Sequence, residues 1–229
     1  MLLNIAIDGP GGAGKSTIAR AVAKQLGIVY VDTGVLYRTI GLYVRRHDTD
    51  PADMDAVAAL LPGISLEIKY EDGGQQVYLN GERVGDAIRT PEMSHYASAV
   101  SVHPPVRNFL LDTQRDIARK TSVIMDGRDI GTVILPDAQV KIFLTASPEC
   151  RAERRCLELR EKGIDTTFEA VLAEMNERDA RDSGRAVAPA VAANDAVHFD
   201  NTGMTLEQSV DYVLALVKEK TGVSVGEAK

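Results

Sequence analysis

"GPGGAGKS", residues 9–16, decides how this chain is read, because it fits the pattern G-x-x-x-x-G-K-[ST] in the context that pattern needs. The apolar run "LNIAI" (3–7) before it reads as a strand, and "STIARAVAKQL" (16–26) after it reads as an amphipathic helix. At such a β-to-α turn, glycines 9, 11, 12 and 14 let consecutive backbone N–H groups turn inward around phosphate oxygens, with the positive end of the helix behind them. Lys15 would reach the β- and γ-phosphates, and the Ser16 hydroxyl would take a place on Mg²⁺. The expected ATP-contacting run is therefore Gly9, Pro10, Gly11, Gly12, Ala13, Gly14, Lys15, Ser16 and Thr17, with Lys15 catalytic and Ser16 on the metal side. A glycine-rich turn that binds nothing is the alternative, and the strand before and helix after argue against it.

Four more short β-branched runs follow: "IVYV" (28–31), "SVIM" (122–125), "VKIFL" (140–144) and "AVHF" (196–199). Helical patterns follow or separate them, which is the grammar of a parallel sheet covered on both faces. The expected fold class is α/β: a P-loop NTPase-type five-stranded parallel sheet with helices on both faces. Thr166 with Glu169 and Thr205 with Gln208 read as capping boxes, and Ser147-Pro148 reads as an N-cap followed by proline in the first turn. One stretch breaks the alternation. "ISLEIKYEDGGQQVYLNGERV" (64–84) alternates with period two around the turn signals "DGG" and "NG", so it reads as an antiparallel meander, either a surface hairpin or a flap beside a site.

Bulk properties exclude several functions. Of 229 residues, 45% are hydrophobic and 26% charged, which is too apolar for disorder. The net charge of −7 and pI near 5.2 disfavour nucleic acid or an anionic membrane as main partner, so an anionic ligand must be met by locally placed donors. Cys150 and Cys156 are six apart in a helical pattern, ~9 Å along the axis and beyond disulfide reach, which fits a reducing, cytoplasmic setting. "MLLNIAID" has no basic leader and is interrupted by Asn4 and Asp8, so it reads as neither signal peptide nor spanning helix. The four histidines show no ligand spacing.

A phosphate cradle does not name its acceptor. In open α/β sheets ligands sit beyond the carboxyl ends of strands, which directs attention to "DTGVLYR" (32–38) and "DGRDIGT" (126–132). In the first, Asp32 or Thr33 can cap the following helix and Arg38 can turn back toward an anion; a plain capped helix is the alternative. In the second, Asp126 can cap the turn, while Arg128 and Asp129 either pair with each other or meet a ligand. "ERDARDSGR" (177–185) reads as a solvated helix face, except that Arg181 and Arg185 are like-charged i, i+4 neighbours that an intervening anion would reconcile. The Asn-Lys-x-Asp and Ser-Gly-Gly-Gln signatures of other nucleotide-binding families are absent, which leaves a small-molecule kinase.

Together "IDGPGGAGKST", "DTGVLYR", the meander, "ASAVSVHPPVRNFLLDTQR", "DGRDIGTVILPDA", "KIFLTAS" and "ERDARDSGRAVAP" resemble the bacterial cytidylate kinases, within the P-loop nucleoside monophosphate kinases, from about residue 4 to about residue 220. The resemblance implies a core of 1–62 and 88–229, a helical lid at about 150–166, and an antiparallel NMP-binding insertion at 63–87. It implies that Ser98, Arg107 and Asp129 read the cytosine base, that Arg38, Arg128 and Arg185 hold the CMP phosphate, and that Thr33, Arg178 and Asp182 lie around ribose and phosphate. Arg128 and Arg185 join Lys15 as catalytic, and Arg154 is the lid arginine assigned to ATP, with Arg151 and Arg155 as rivals. Thr33 stands where serine is usual in the family. The implied activity is ATP- and Mg²⁺-dependent phosphorylation of CMP (and dCMP), and a monomer is the default expectation, since no exposed apolar repeat in the sequence demands a partner. A kinase for another small acceptor such as UMP, or an ATP-sensing module without turnover, are the alternatives.

Overall fold

The structure, a computed structural model, describes residues 2–71 and 74–226. Asp72 and Gly73 of the "DGG" turn, and the last three residues, lie outside the described residues. In chain order the elements are β1 (Asn4–Asp8), α1 (Lys15–Leu26), β2 (Val29–Asp32), α2 (Thr33–Arg46), α3 (Met54–Leu60), β3 (Leu66–Glu71), β4 (Gly74–Leu79), β5 (Glu82–Arg83), α4 (Pro91–Val100) and α5 (Pro104–Lys120). Then come β6 (Val123–Gly127), a single π-helical turn (Ile130–Ile134), β7 (Val140–Thr145), α6 (Pro148–Glu161), α7 (Phe168–Gly184), β8 (Val197–Asp200) and α8 (Leu206–Thr221).

The expected α/β architecture is present. Five strands form one sheet in the order β2-β6-β1-β7-β8, and the pairs β1–β6, β1–β7 and β7–β8 are parallel. Its strands are nearly continuous apolar runs because helices cover them: Ile5, Ile7, Ile124 and Met125 are fully buried, and α1 adds Ile18 and Leu26. The meander is present as a three-stranded antiparallel sheet, β3-β4-β5, in register from Leu66 opposite Leu79 to Glu71 opposite Gly74.

Contacts divide the chain into two compact units, residues 1–29 with 120–229, and residues 30–119. The second unit has its own core, in which Leu36, Ile40 and Val44 of α2 pack with Val57, Val77, Leu79, Met93, Val100 and Leu110. In the first, a satellite cluster of Ala152, Cys156, Leu159, Val171 and Met175 joins α6 to α7. Both cysteines are free thiols. No helix among the described residues is long and apolar enough to cross a membrane.

Helix starts follow the local chemistry, with one correction. Ser147 accepts from Cys150 N–H, and Thr205 with Gln208 forms a complete capping box. The cap of α7 is Thr167, whose hydroxyl accepts from Ala170 N–H, not Thr166. Of two adjacent threonines, the second is the one whose extended backbone (φ −102°, ψ 154°) aims its oxygen at the helix.

Candidate active site

The 9–16 loop leaves β1 through Gly9, whose φ of +144° already favours glycine. A Cβ there would overlap the Leu144 carbonyl of β7, so this glycine is required by the passing strand as much as by any ligand. Gly12 (φ +76°) is tight for another reason: a Cβ would lie 2.7 Å from Met175 Cε and 3.2 Å from Arg151 Cβ. The loop is therefore packed from behind by α6 and α7. Arg151 holds it polarly as well, donating to Gly11 O (3.1 Å), Ala146 O (3.0 Å) and the Asp179 carboxylate (2.6 Å). Asn201, just past β8, donates to Ala13 O (3.1 Å), and Arg154 reaches Ala13 O (3.3 Å) and both oxygens of Asn201.

Lys15 is buried and folds back so that Nζ donates to Pro10 O at 2.7 Å. Burial, and next the repulsion of Arg128, push its pKa down to about 7, against the pull of Asp126 and Asp8. The Ser16 hydroxyl donates to Asp126 Oδ2 at 2.7 Å. Asp126 was expected as a turn cap. Its carboxylate instead leaves the end of β6 toward α1, because the parallel β1–β6 register sets Asp126 beside Ile7, just short of the loop. Ser16 and Asp126 form a hard-oxygen pair at the phosphate end. Among the described residues no group of three or more His, Cys, Asp or Glu is arranged so that it could hold a metal ion. Two protein oxygens suit Mg²⁺, which keeps waters and takes its remaining ligands from substrate phosphates. Thr17, also expected to contact ATP, is exposed.

Arg128 and Asp129, the two charges of "DGRDIGT", do not pair in the expected alternative way. Arg128 Nε donates to Asp182 Oδ2 of α7 at 2.9 Å. Its Nη2 lies 3.6 Å from where a Gly11 Cβ would stand, so the guanidinium faces the loop. Arg185 comes within 4.0 Å of the same Asp182 and donates to Ala188 O at 2.7 Å. Although burial works the other way, Arg128, Arg178 and Arg185 together hold the Asp182 carboxyl below its usual range. Arg178 also acts on Lys15, which puts Lys15, Arg128, Arg178 and Arg185 in one field. By contrast Arg181 stays on the exposed face, 4.0 Å from Glu177. The charge run is thus split by helix periodicity into a buried half and a solvated half.

Within the second unit, Asp32 rather than Thr33 caps α2, accepting from Val35 N–H at 3.1 Å. Thr33 is buried at the first position of that helix, and Arg38 donates to Ile88 O at 3.4 Å. Ser98 is half-buried on α4, where its carbonyl accepts from Ser101 Oγ. Arg107 of α5 is buried, donates to Ser101 O at 3.0 Å and stacks 5.7 Å from the Tyr37 ring centre. Three residues of the first unit were not foreseen as site elements, Asp8, Asp126 in its observed role and Asn201, and Arg151, a rival for the lid arginine, instead braces the 9–16 loop.

A family model described as cytidylate kinase matches residues 5–219. The chain is 48% identical over 220 residues to the cytidylate kinase of Thermosipho melanesiensis, covering 96% of this chain and 99% of that one. It is 47% identical over 214 residues to that of Caldicellulosiruptor bescii (93% and 95% covered) and 45% identical over 218 residues to that of Enterococcus faecalis (95% and 96%). Among solved structures, an uncharacterized protein from Eubacterium ventriosum shares the fold with a TM-score of 0.51 at 15% identity, covering 96% of this chain and 99% of that one.

Proposed function

The chain belongs to the cytidylate kinase family, and from that premise we propose how its own residues divide the work of its reaction, the transfer of a phosphoryl group from ATP to CMP. A phosphate oxygen of CMP attacks the γ-phosphorus of ATP, the bond from that phosphorus to the β–γ bridging oxygen breaks, and CDP and ADP leave. The attacking oxygen is already anionic, so no general base is needed. The work is alignment of two polyanions and neutralisation of charge as it spreads over the moving group.

The observation that carries this reading is the arginine set in the field of Lys15: Arg128 faces the 9–16 loop and is braced by Asp182, with Arg178 and Arg185 beside it. A hydrolase acting on water has no use for three guanidinium groups at the acceptor side; an anionic acceptor does. On this reading Arg38, Arg128 and Arg185 hold the CMP phosphate, and Thr33, Arg178 and Asp182 line ribose and phosphate. Backbone amides of residues 9–14 and Thr17 serve ATP, with Arg154 as the guanidinium from the lid helix. Arg151 is paired with Asp179 and Arg155 with Glu158 on its own helix, whereas Arg154 reaches the loop itself at Ala13 O, which supports Arg154 for that role. Ser16, with Asp126 next to it, would hold Mg²⁺, which supplies charge neutralisation of the β- and γ-phosphates.

Asp129, Arg107 and Ser98 read the base. Cytosine presents an amino donor beside two acceptors, so a carboxylate takes the amino proton and a guanidinium donates to the acceptor edge. Uracil turns a carbonyl toward the carboxylate and leaves buried groups unpaired, at about 1–3 kcal/mol per group. Residues 63–87 serve as the nucleoside monophosphate-binding insertion and about 150–166 as the lid. The chain acts as a cytoplasmic monomer that also takes dCMP.

Release of ADP that depends on CMP, with UMP, dCMP and shikimate as parallel acceptors, tests the assignment. Asp129→Ala is expected to lower kcat/KM for CMP by about 10- to 100-fold, the worth of one or two buried polar contacts, while ATP affinity stays within about twofold. Unchanged CMP kinetics would remove Asp129 from the base pocket.

A further inference from the structure

An aspartate that opens a helix usually spends its carboxylate on the first free amides of that helix. Asp129 opens the π-helical turn Ile130–Ile134, and its carbonyl accepts from Val133 (2.9 Å) and Ile134 (3.2 Å), yet its side chain makes no capping bond. The first two amides of the turn are instead held by a side chain from another strand. Asp8 Oδ1 accepts from Ile130 N–H and Asp8 Oδ2 from Gly131 N–H, each at 2.7 Å. The cap thus comes from another strand, 122 residues back in the chain. Asp8 is the last residue of β1, paired with Gly127 of β6, and is followed at once by Gly9.

The arrangement is built closely. Asp8 is 3% exposed. Gly131 sits between its carboxylate and the Lys141 stem, so that a Cβ there would lie 3.3 Å from Asp8 Oδ2 and 3.3 Å from Lys141 Cδ. Lys141 is itself tied to Asp195 at 2.7 and 2.9 Å and does not yield freely. Two short charge-assisted bonds to adjacent amides fix the peptide planes on the C-terminal side of Asp129, and with them the direction in which its Cβ leaves the backbone.

We propose that Asp8 is a positioning residue for acceptor recognition: it holds the first two amides of the turn and so fixes the direction in which the Asp129 side chain leaves the backbone toward the acceptor base. The proposal rests on the reading of Asp129 as the group that accepts from the cytosine amino group. It gives β1 a second task, since one residue ends the strand that launches the ATP loop and orients the loop that selects the acceptor.

The test is the ratio of kcat/KM for CMP to that for UMP, measured in wild type, Asp8→Asn, Gly131→Ala and Asp129→Asn. Any change in ATP handling enters both acceptors alike and cancels in the ratio. Asparagine keeps the size of Asp8 but sets an amide N–H₂ against one backbone N–H, freeing the turn; the added methyl at Gly131 presses the same contact from its other side. Both are expected to lower the CMP:UMP ratio about tenfold, the worth of one misplaced polar contact, whatever they do to Tm. An Asp8→Asn enzyme that loses Tm but keeps the wild-type ratio overturns the proposal, because Asp8 would then be structural only. Should Asp8→Asn not fold, retention of the ratio in Gly131→Ala overturns it instead. If Asp129→Asn itself leaves the ratio unchanged, the base reading fails and the proposal falls with it; a fall in Asp129→Asn alone rejects the role of Asp8 and leaves the base reading standing.

Discussion

Lys15→Met is expected to lower kcat for CDP formation by on the order of 10²–10³-fold, the worth of one preorganised charge donor at a developing charge, without lowering Tm. The two halves of that result have one cause. Lys15 is buried, its ammonium meets Arg128 and Arg178 as well as Asp126 and Asp8, and its pKa is pushed down to about 7. Between about pH 7 and 10.5 the unfolded chain binds more protons at this position than the native one, so holding Lys15 works against folding below that window and the penalty fades as pH rises through it. A methionine of similar length removes the buried charge and the penalty. Catalytic power and local instability are then the same charge, seen with and without phosphate present. A second measurement isolates it. With its pKa lowered to about 7 by burial, Lys15 loses part of its charge by pH 8 in the ligand-free protein, and nucleotide phosphates favour the ammonium, so ATP binding at pH 8 is expected to be accompanied by proton uptake at this residue. Calorimetric titrations in buffers of different ionisation enthalpy read that uptake directly, and it is expected to vanish in Lys15→Met. Equal proton uptake by the two proteins would mean that Lys15 is already charged before ATP arrives.

How much of this was legible beforehand depends on whether the information is local. The five core strands fall within a residue or two of their apolar runs, most plainly β1, β6 and β7, because a strand buried on both faces is apolar nearly throughout. The meander was visible because period two cannot be mistaken for period 3.6. The 9–16 loop declared itself because its glycines, lysine and serine are consecutive, and the caps at Ser147 and Thr205 because capping spans three residues. The choice of Thr167 over Thr166 turned on backbone angles that two like side chains in a row do not encode.

The residues that escaped attention act across long separations. Asp126 has a turn-capping reading in its own neighbourhood, and only the parallel register with β1 brings it to Ser16. Asp8 looks like the ordinary polar end of a strand until its carboxylate is found on amides more than a hundred residues away. Arg128 and Asp129 are adjacent and opposite in charge, which makes an ion pair the local expectation, yet Asp182 outcompetes it from α7. In each case the sequence carries the right residue type and the topology supplies the partner. The pattern of "ERDARDSGR" lies between these extremes: its periodicity separates Asp182 from Arg181, but which half is buried follows only from where α7 packs.

Arg151→Met is expected to be the most destabilising single change at the site, by about 3–5 kcal/mol, or a fall in Tm of roughly 10 °C for a chain of this size. Its side chain is 5% exposed and spends its donors on three separate structures: the Ala146 carbonyl after β7, the Gly11 carbonyl in the phosphate loop, and the Asp179 carboxylate of α7. Methionine fills much of the volume but leaves a largely buried carboxylate and two carbonyls without their partner, and that abandonment sets the size of the effect rather than lost packing. Arg151→Lys keeps the charge but not the planar fork, which serves three acceptors in different directions, so it should recover only part of the loss. Asp179→Leu combined with Arg151→Met removes both charges and is expected to be markedly more stable than the sum of the two single changes predicts, whereas additivity of the three thermal melts would show that the ion pair is not what joins α6 to α7. The loop should register the same substitution chemically. Without Arg151 the Gly11 carbonyl loses the donor that holds it at 3.1 Å, so affinity for ATP is expected to fall while the CMP:UMP ratio, which the proposal assigns to Asp129, stays where it was.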